Sequence, residues 1–145
     1  MRIYLDMCCV KRPFDDQLDA RISAEAVAID AVLQACQGGH CTLLTSDALR
    51  FENSRNPNEQ RREVAAVLLA AAKDNIPHEP LIESRAAELQ KAGIGLLDAL
   101  HLASAECGSA DVFSTCDDEL LRRAQKAVLR IRVLSPGDLL KEISP

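Results

Sequence analysis

Short apolar runs alternate with helix-periodic stretches along this chain, and that alternation restricts the fold more than any other feature. Ile3-Tyr4-Leu5, Thr42-Leu43-Leu44-Thr45 and Asp111-Val112-Phe113-Ser114-Thr115 have the length and the β-forming residues of buried strands. Ser23 to Gln37 places Ala26, Val27, Ile29, Ala31, Val32, Leu33 and Cys36 at helical spacing, with Ser23 as N-cap and Gly38-Gly39 as the stop. Ser46-Asp47 caps a short helix expected to carry Phe51 inward with Glu52 beside it. Glu59 to Lys73 predicts a long helix with Val64, Val67, Leu68 and Ala71 on its inner stripe, and Ile76 to Pro80 reads as a proline-bounded connection. Helices over Leu81 to Lys91 and Leu120 to Val128 follow. Arg130 to Leu134 alternates as an edge strand does, and Ser135-Pro136 opens a last helix. Strands alternating with helices imply βαβ units, hence one α/β domain over residues 1–145 with a parallel sheet of four to five strands and helices on both faces.

The segment Gly95 to Cys107 is apolar all round and reads as a core helix, yet it contains Asp98. An unpaired buried carboxylate costs several kcal/mol, so Asp98 should face a metal or a cleft. Asp6 and Asp117 each follow an apolar strand, and Glu52 lies just after another. Parallel sheets gather ligands at the carboxyl ends of their strands, so these acids point to a divalent-cation site. Each has a plainer role open to it: Asp117-Asp118-Glu119 can cap a helix, Asp6 can sit in a loop and Glu52 on a solvated face.

Composition narrows the choice of partner. The core must be aliphatic, because 48% of the residues are hydrophobic but only 3% aromatic, with no Trp. That rules against binding single strands through aromatic platforms. The net charge of -5 gives no global attraction for nucleic acid, but Lys11-Arg12, Arg50, Arg55, Arg61-Arg62 and Arg122-Arg123 lie near the ends of the acid-bearing segments and can form a basic rim. Six cysteines show no C-x-x-C spacing, and Cys8-Cys9 in an extended chain would point to opposite sides, so buried free thiols are expected rather than a zinc site. The chain enters a strand at once, leaving no room for a signal peptide, and has no apolar run long enough to span a membrane; a reducing, cytoplasmic setting is expected.

The ordered set of pieces resembles the PIN-domain family, whose small members include toxin ribonucleases of the VapBC type. The matching pieces are the opening strand into Asp6, Thr45-Ser46 followed by Glu52, Leu97-Asp98-Ala99-Leu100-His101-Leu102-Ala103, and Val112-Phe113-Ser114-Thr115-Cys116-Asp117 followed by Leu120-Leu121-Arg122-Arg123-Ala124. The resemblance implies a metal-dependent endoribonuclease in which Asp6, Glu52, Asp98 and Asp117 surround Mg²⁺ or Mn²⁺, Thr115 orients an acid or a water, and RNA is the substrate. It also implies a VapB-like antitoxin as partner and, together with the several apolar helix stripes, a homodimer. The sequence departs from the family pattern two positions after the first acid, where many members have Asn or Ser and this chain has Cys8. Arg12-Pro13-Phe14-Asp15-Asp16 resembles a recurrent feature of one PIN-like branch.

Other classes fit less well. A receiver-like signalling domain needs a Lys after a late strand, where this chain has Ser135-Pro136, and a D-x-D phosphatase fails at Asp6-Met7-Cys8. A PIN-like scaffold without catalysis is the alternative that the residues leave open. His101, one turn after Asp98, is expected to pack or hydrogen-bond rather than to catalyse, since nothing pairs it with a nucleophile.

Overall fold

The computed structural model describes residues 1–144, so the expected domain's last residue, Pro145, lies outside the described residues. Five strands form one parallel sheet in the order β3-β2-β1-β4-β5. They are β1 (Arg2–Leu5), β2 (Thr42–Ser46), β3 (Asp74–Ile76), β4 (Val112–Ser114) and β5 (Arg132–Leu134). Ile3, Tyr4 and Leu5 point alternately to opposite faces of the sheet, yet all are at most 2% exposed, so helices cover both faces of β1. Among the described residues eight helices supply that cover: α1 (Met7–Lys11), α2 (Ala20–Gln37), α3 (Asp47–Ser54), α4 (Glu59–Ala70), α5 (Pro80–Lys91), α6 (Leu96–Cys107), α7 (Asp118–Lys126) and α8 (Pro136–Ile143).

Strand order reverses at β1: β2 and β3 extend the sheet on one side, β4 and β5 on the other. The register pairs Leu5 with Ser114, so Asp6 and Thr115 emerge side by side at the carboxyl ends of the two central strands. That is the topological switch point, where open α/β sheets leave a crevice.

Several local expectations are corrected. Helix α2 begins three residues before Ser23, because the Asp19 carboxylate accepts from the amides of Arg21 and Ile22 and so makes the better cap. Phe51 is 57% exposed, and Asn53 turns inward instead, donating to the Arg62 carbonyl. In α4 the inward residues are Ala65 and Leu69, whereas Val64 and Val67 face out. That helix ends at Ala70, not Lys73, and the next residues form β3, whose Asp74 and Asn75 are exposed as an edge strand allows.

Candidate active site

Asp6 is set by β1 and capped into place by α1. Its Oδ1 accepts from the Met7 amide at 2.8 Å, and its Oδ2 accepts from the Thr115 hydroxyl at 2.8 Å and the Cys8 thiol at 3.4 Å. The carboxyl is only 6% exposed, and burial first of all raises its pKa to about 7. The Cys8 thiol is the weaker of the two side-chain donors to this carboxylate. Thr115 both donates to Asp6 and accepts from the Asp117 amide at 3.1 Å.

Asp98 lies in the first turn of α6. That turn is not core as its apolar sequence implied, for Leu96 is 59% and Leu97 38% exposed; the helix becomes buried only from Ala99 onward. Asp98 is half-buried at the mouth of the crevice, and its carboxyl is pushed up to about 6 by burial, then by the negative charges of Asp6 and Asp117. Asp117 is exposed and does cap α7, its Oδ1 accepting from the amides of Glu119 and Leu120. The cap and the site are compatible, because the second carboxylate oxygen stays free of those bonds.

Glu52 reaches the same region from α3, and its charge contributes to raising Asp6. It is held by a buried chain that the sequence pattern does not reveal. His101 Nε2 lies 3.0 Å from Glu52 Oε1, His101 Nδ1 lies 2.8 Å from the Tyr4 hydroxyl, and that hydroxyl lies 2.6 Å from Ser46 Oγ. A carboxylate only accepts, so Nε2 carries the proton, and in a neutral imidazole Nδ1 then accepts from Tyr4 and Tyr4 from Ser46. His101 is therefore a hydrogen-bonding residue, as expected, and it orients Glu52 from a fully buried position.

Among the described residues no lysine or arginine forms an ion pair with Asp6, Asp98 or Asp117, although many other ionised side chains near the surface are paired. Nor do any three of the four acids bring oxygens within 4.8 Å of one another. Hard oxygen donors spaced in this way suit Mg²⁺ or Mn²⁺, which keep several waters and take few direct carboxylates. The carboxyls of Asp6 and Asp98, raised chiefly by burial and without a lysine or arginine ion pair among the described residues, are donors of the kind that such an ion takes, so the residues present fit it.

The basic rim is smaller than its sequence implied. Arg12 is turned inward against Glu25 and Asp15, Arg61 and Arg62 bind the carbonyls of Phe14 and Asn56, and Arg123 pairs with Glu119. Lys11, Arg50, Arg55 and Arg122 remain, and of these Lys11 and Arg55 line a groove of about 400 Å³ together with Glu52, Asn53 and Leu97.

A family model for the PIN domain matches residues 12–126. The chain belongs to the PIN-domain family. Glu52, Asp98, Thr115 and Asp117 fall within the matched span, and the PIN fold brings in Asp6 through β1. Two solved structures share the PIN architecture. FitAcB from Neisseria gonorrhoeae is 18% identical with a TM-score of 0.58, covering 93% of this chain and 98% of that one. VapBC2 from Rickettsia felis, bound to a DNA fragment from its promoter, is 14% identical with a TM-score of 0.58 and the same coverage. No curated protein sequence matches this PIN chain.

The thiols depart from expectation. Residues 7–11 are helical, not extended, so Cys8 and Cys9 lie on one side and meet Cys116 at the end of β4. Cys9 and Cys116 are 3.7 Å apart, sulfur to sulfur, with no disulfide between them.

Proposed function

We propose that this PIN domain is a metal-dependent endoribonuclease acting on single-stranded RNA. The observation that carries the reading is the buried Asp6, raised to about 7 at the switch point beside Asp98 and with no lysine or arginine among the described residues to balance it. Asp6, Asp98 and Asp117, with Glu52 on the opposite wall, would hold Mg²⁺ or Mn²⁺ directly or through water. The ion, when bound, supplies Lewis-acid activation of a water and neutralises charge on the phosphate.

The chain's own residues do the rest. Thr115 fixes the Asp6 carboxylate and His101 fixes Glu52, and either carboxylate would serve as acceptor for a proton from an attacking water. Lys11 and Arg55 offer charges to the RNA backbone along the groove, where Leu97 gives apolar contact. In-line attack of water on phosphorus leaves a 5′ phosphate and a 3′ hydroxyl.

Phe51, Val64 and Val67 on α3 and α4 are 57%, 44% and 72% exposed, an apolar surface that supports a protein partner. A second copy of the chain and a VapB-like antitoxin are the partners we assign to it, the antitoxin resting on the likeness to VapBC2. Six free thiols accord with a reducing, cytoplasmic setting, and among the described residues no helix is long and apolar enough to cross a membrane.

Incubation of purified protein with single-stranded RNA, in Mg²⁺ or Mn²⁺ and in excess chelator, tests the reading. Cleavage only with metal supports it. Undiminished cleavage in chelator overturns the metal mechanism, and metal binding without cleavage identifies a scaffold that has lost catalysis.

A further inference from the structure

We infer that Cys8, Cys9 and Cys116 form a second metal site, for a thiophilic d¹⁰ cation such as Zn²⁺, at the floor of the acidic crevice. Their three sulfurs all lie within 4.8 Å of one another. Tetrahedral zinc with Zn–S bonds of about 2.3 Å needs sulfurs about 3.8 Å apart. Cys9 and Cys116 already stand at 3.7 Å. Little movement is required of them; the Cys9 thiol donates to the Ser114 carbonyl at 3.3 Å, a bond that it gives up with its proton on binding the ion, and Cys116 closely follows β4.

The surroundings fit the charge of such a site. Three thiolates around a divalent cation carry one net negative charge, and the nearby Arg12 guanidinium, which also pairs with Asp15 and Glu25, favours the ionised form of Cys116. Access comes through Cys8, which is partly exposed while Cys9 and Cys116 are buried. On that side the Cys8 thiol donates to the Asp6 carboxylate at 3.4 Å, a bond that it gives up with its proton on binding the ion. Soft sulfur ligands separate this site from the oxygen site above it: Mg²⁺ and Mn²⁺ select the carboxylates, and Zn²⁺ or Cd²⁺ the thiolates. The plainer role for these thiols is packing, which does not require their convergence.

The site is defined by sulfur alone, so its test is independent of whether the protein cleaves RNA. Reduced, metal-free full-length chain is titrated with Cd²⁺ in saturating Mg²⁺, following the ultraviolet thiolate-to-cadmium charge-transfer band. The expected result is a band that saturates at one equivalent. Cys8→Ser should weaken binding by more than the ~10–100-fold that loss of an outer contact costs. Cys107→Ser and Asp98→Asn should leave it unchanged. Cys8→Ser is preferred to Cys9→Ser because Cys9 is fully buried and its replacement can unfold the chain; circular dichroism verifies that the variant is folded. Absence of the band, its persistence in Cys8→Ser, or its loss in Cys107→Ser would overturn the assignment.

Discussion

Replacing Asp6 with asparagine should remove a pH dependence of stability that the wild-type chain owes to this one buried carboxyl. In the metal-free fold its pKa is raised from 3.8 to about 7, chiefly by burial. The folded chain therefore binds more protons than the unfolded chain between those values, and stability falls as pH rises through that window. The stabilising contribution is fully present below pH 3.8 and is lost as pH rises to about 7. At about 1.4 kcal/mol for each pH unit, the interval amounts to up to ~4 kcal/mol, or roughly 10 °C in melting temperature for a chain of this size. The asparagine amide keeps the shape of the carboxyl and can donate to the Thr115 hydroxyl, which then turns toward Cys8, so the variant should fold. Urea unfolding of both proteins in chelator at about pH 4 and about pH 7.5 gives the needed difference, in which the shared titrations of Asp47, Asp118 and Asp138 cancel. Asp6→Asn should gain on the wild type by ~4 kcal/mol across the range. Parallel stability curves would refute the reasoning, since they would mean that Asp6 is ionised in the fold at neutral pH without a counter-charge.

Asp98→Asn should abolish Mg²⁺ and Mn²⁺ binding and RNA cleavage while leaving the protein as stable as the parent, or more stable, in chelator, because it relieves repulsion with Asp6 and Asp117; a loss of roughly 3–5 kcal/mol in thermal melts would instead mark a structural acid. Tyr4→Phe breaks the chain from Ser46 to Glu52 and leaves His101 Nδ1 buried without a donor. Its expected cost is about 1–3 kcal/mol by denaturant titration, with a fall in cleavage because Glu52 is no longer held through His101. Gly108→Ala places a Cβ 2.3 Å from Ile76 Cδ1 and 2.6 Å from its Cγ1, against the end of β3, and should destabilise by about 1–3 kcal/mol in the same assay.

The places of Asp6 and Asp117 were legible in the sequence because strand ends are local signals, read within a short window, whereas Asp98 was singled out by an apolar context that its own exposed turn does not share. The parallel order of β1, β2 and β4 followed from the same alternation. What lay between distant residues was not legible. The Tyr4–His101–Glu52 chain joins residues 97 and 49 positions apart, and only the folded sheet brings them together. The Cys8-Cys9-Cys116 cluster was hidden by treating residues 7–11 as extended, although the Asp6 cap starts a helix there. In α4 both stripes are apolar, so periodicity cannot choose between them; the small Ala65 faces the packed side and the valines face out. β3 is too polar to register as a strand, because as an edge strand it buries only Ile76.

Binding of a hard divalent cation in the crevice, through these acids, is the property on which the proposed nuclease activity depends most directly. Mn²⁺ titrated into metal-free protein, with free ion read by electron paramagnetic resonance, measures that without reference to RNA. Saturable binding that Mg²⁺ displaces, that survives in Cys8→Ser and that disappears in Asp98→Asn is the predicted result. Binding of equal strength in Asp98→Asn, or no binding by the folded wild-type chain, would contradict it.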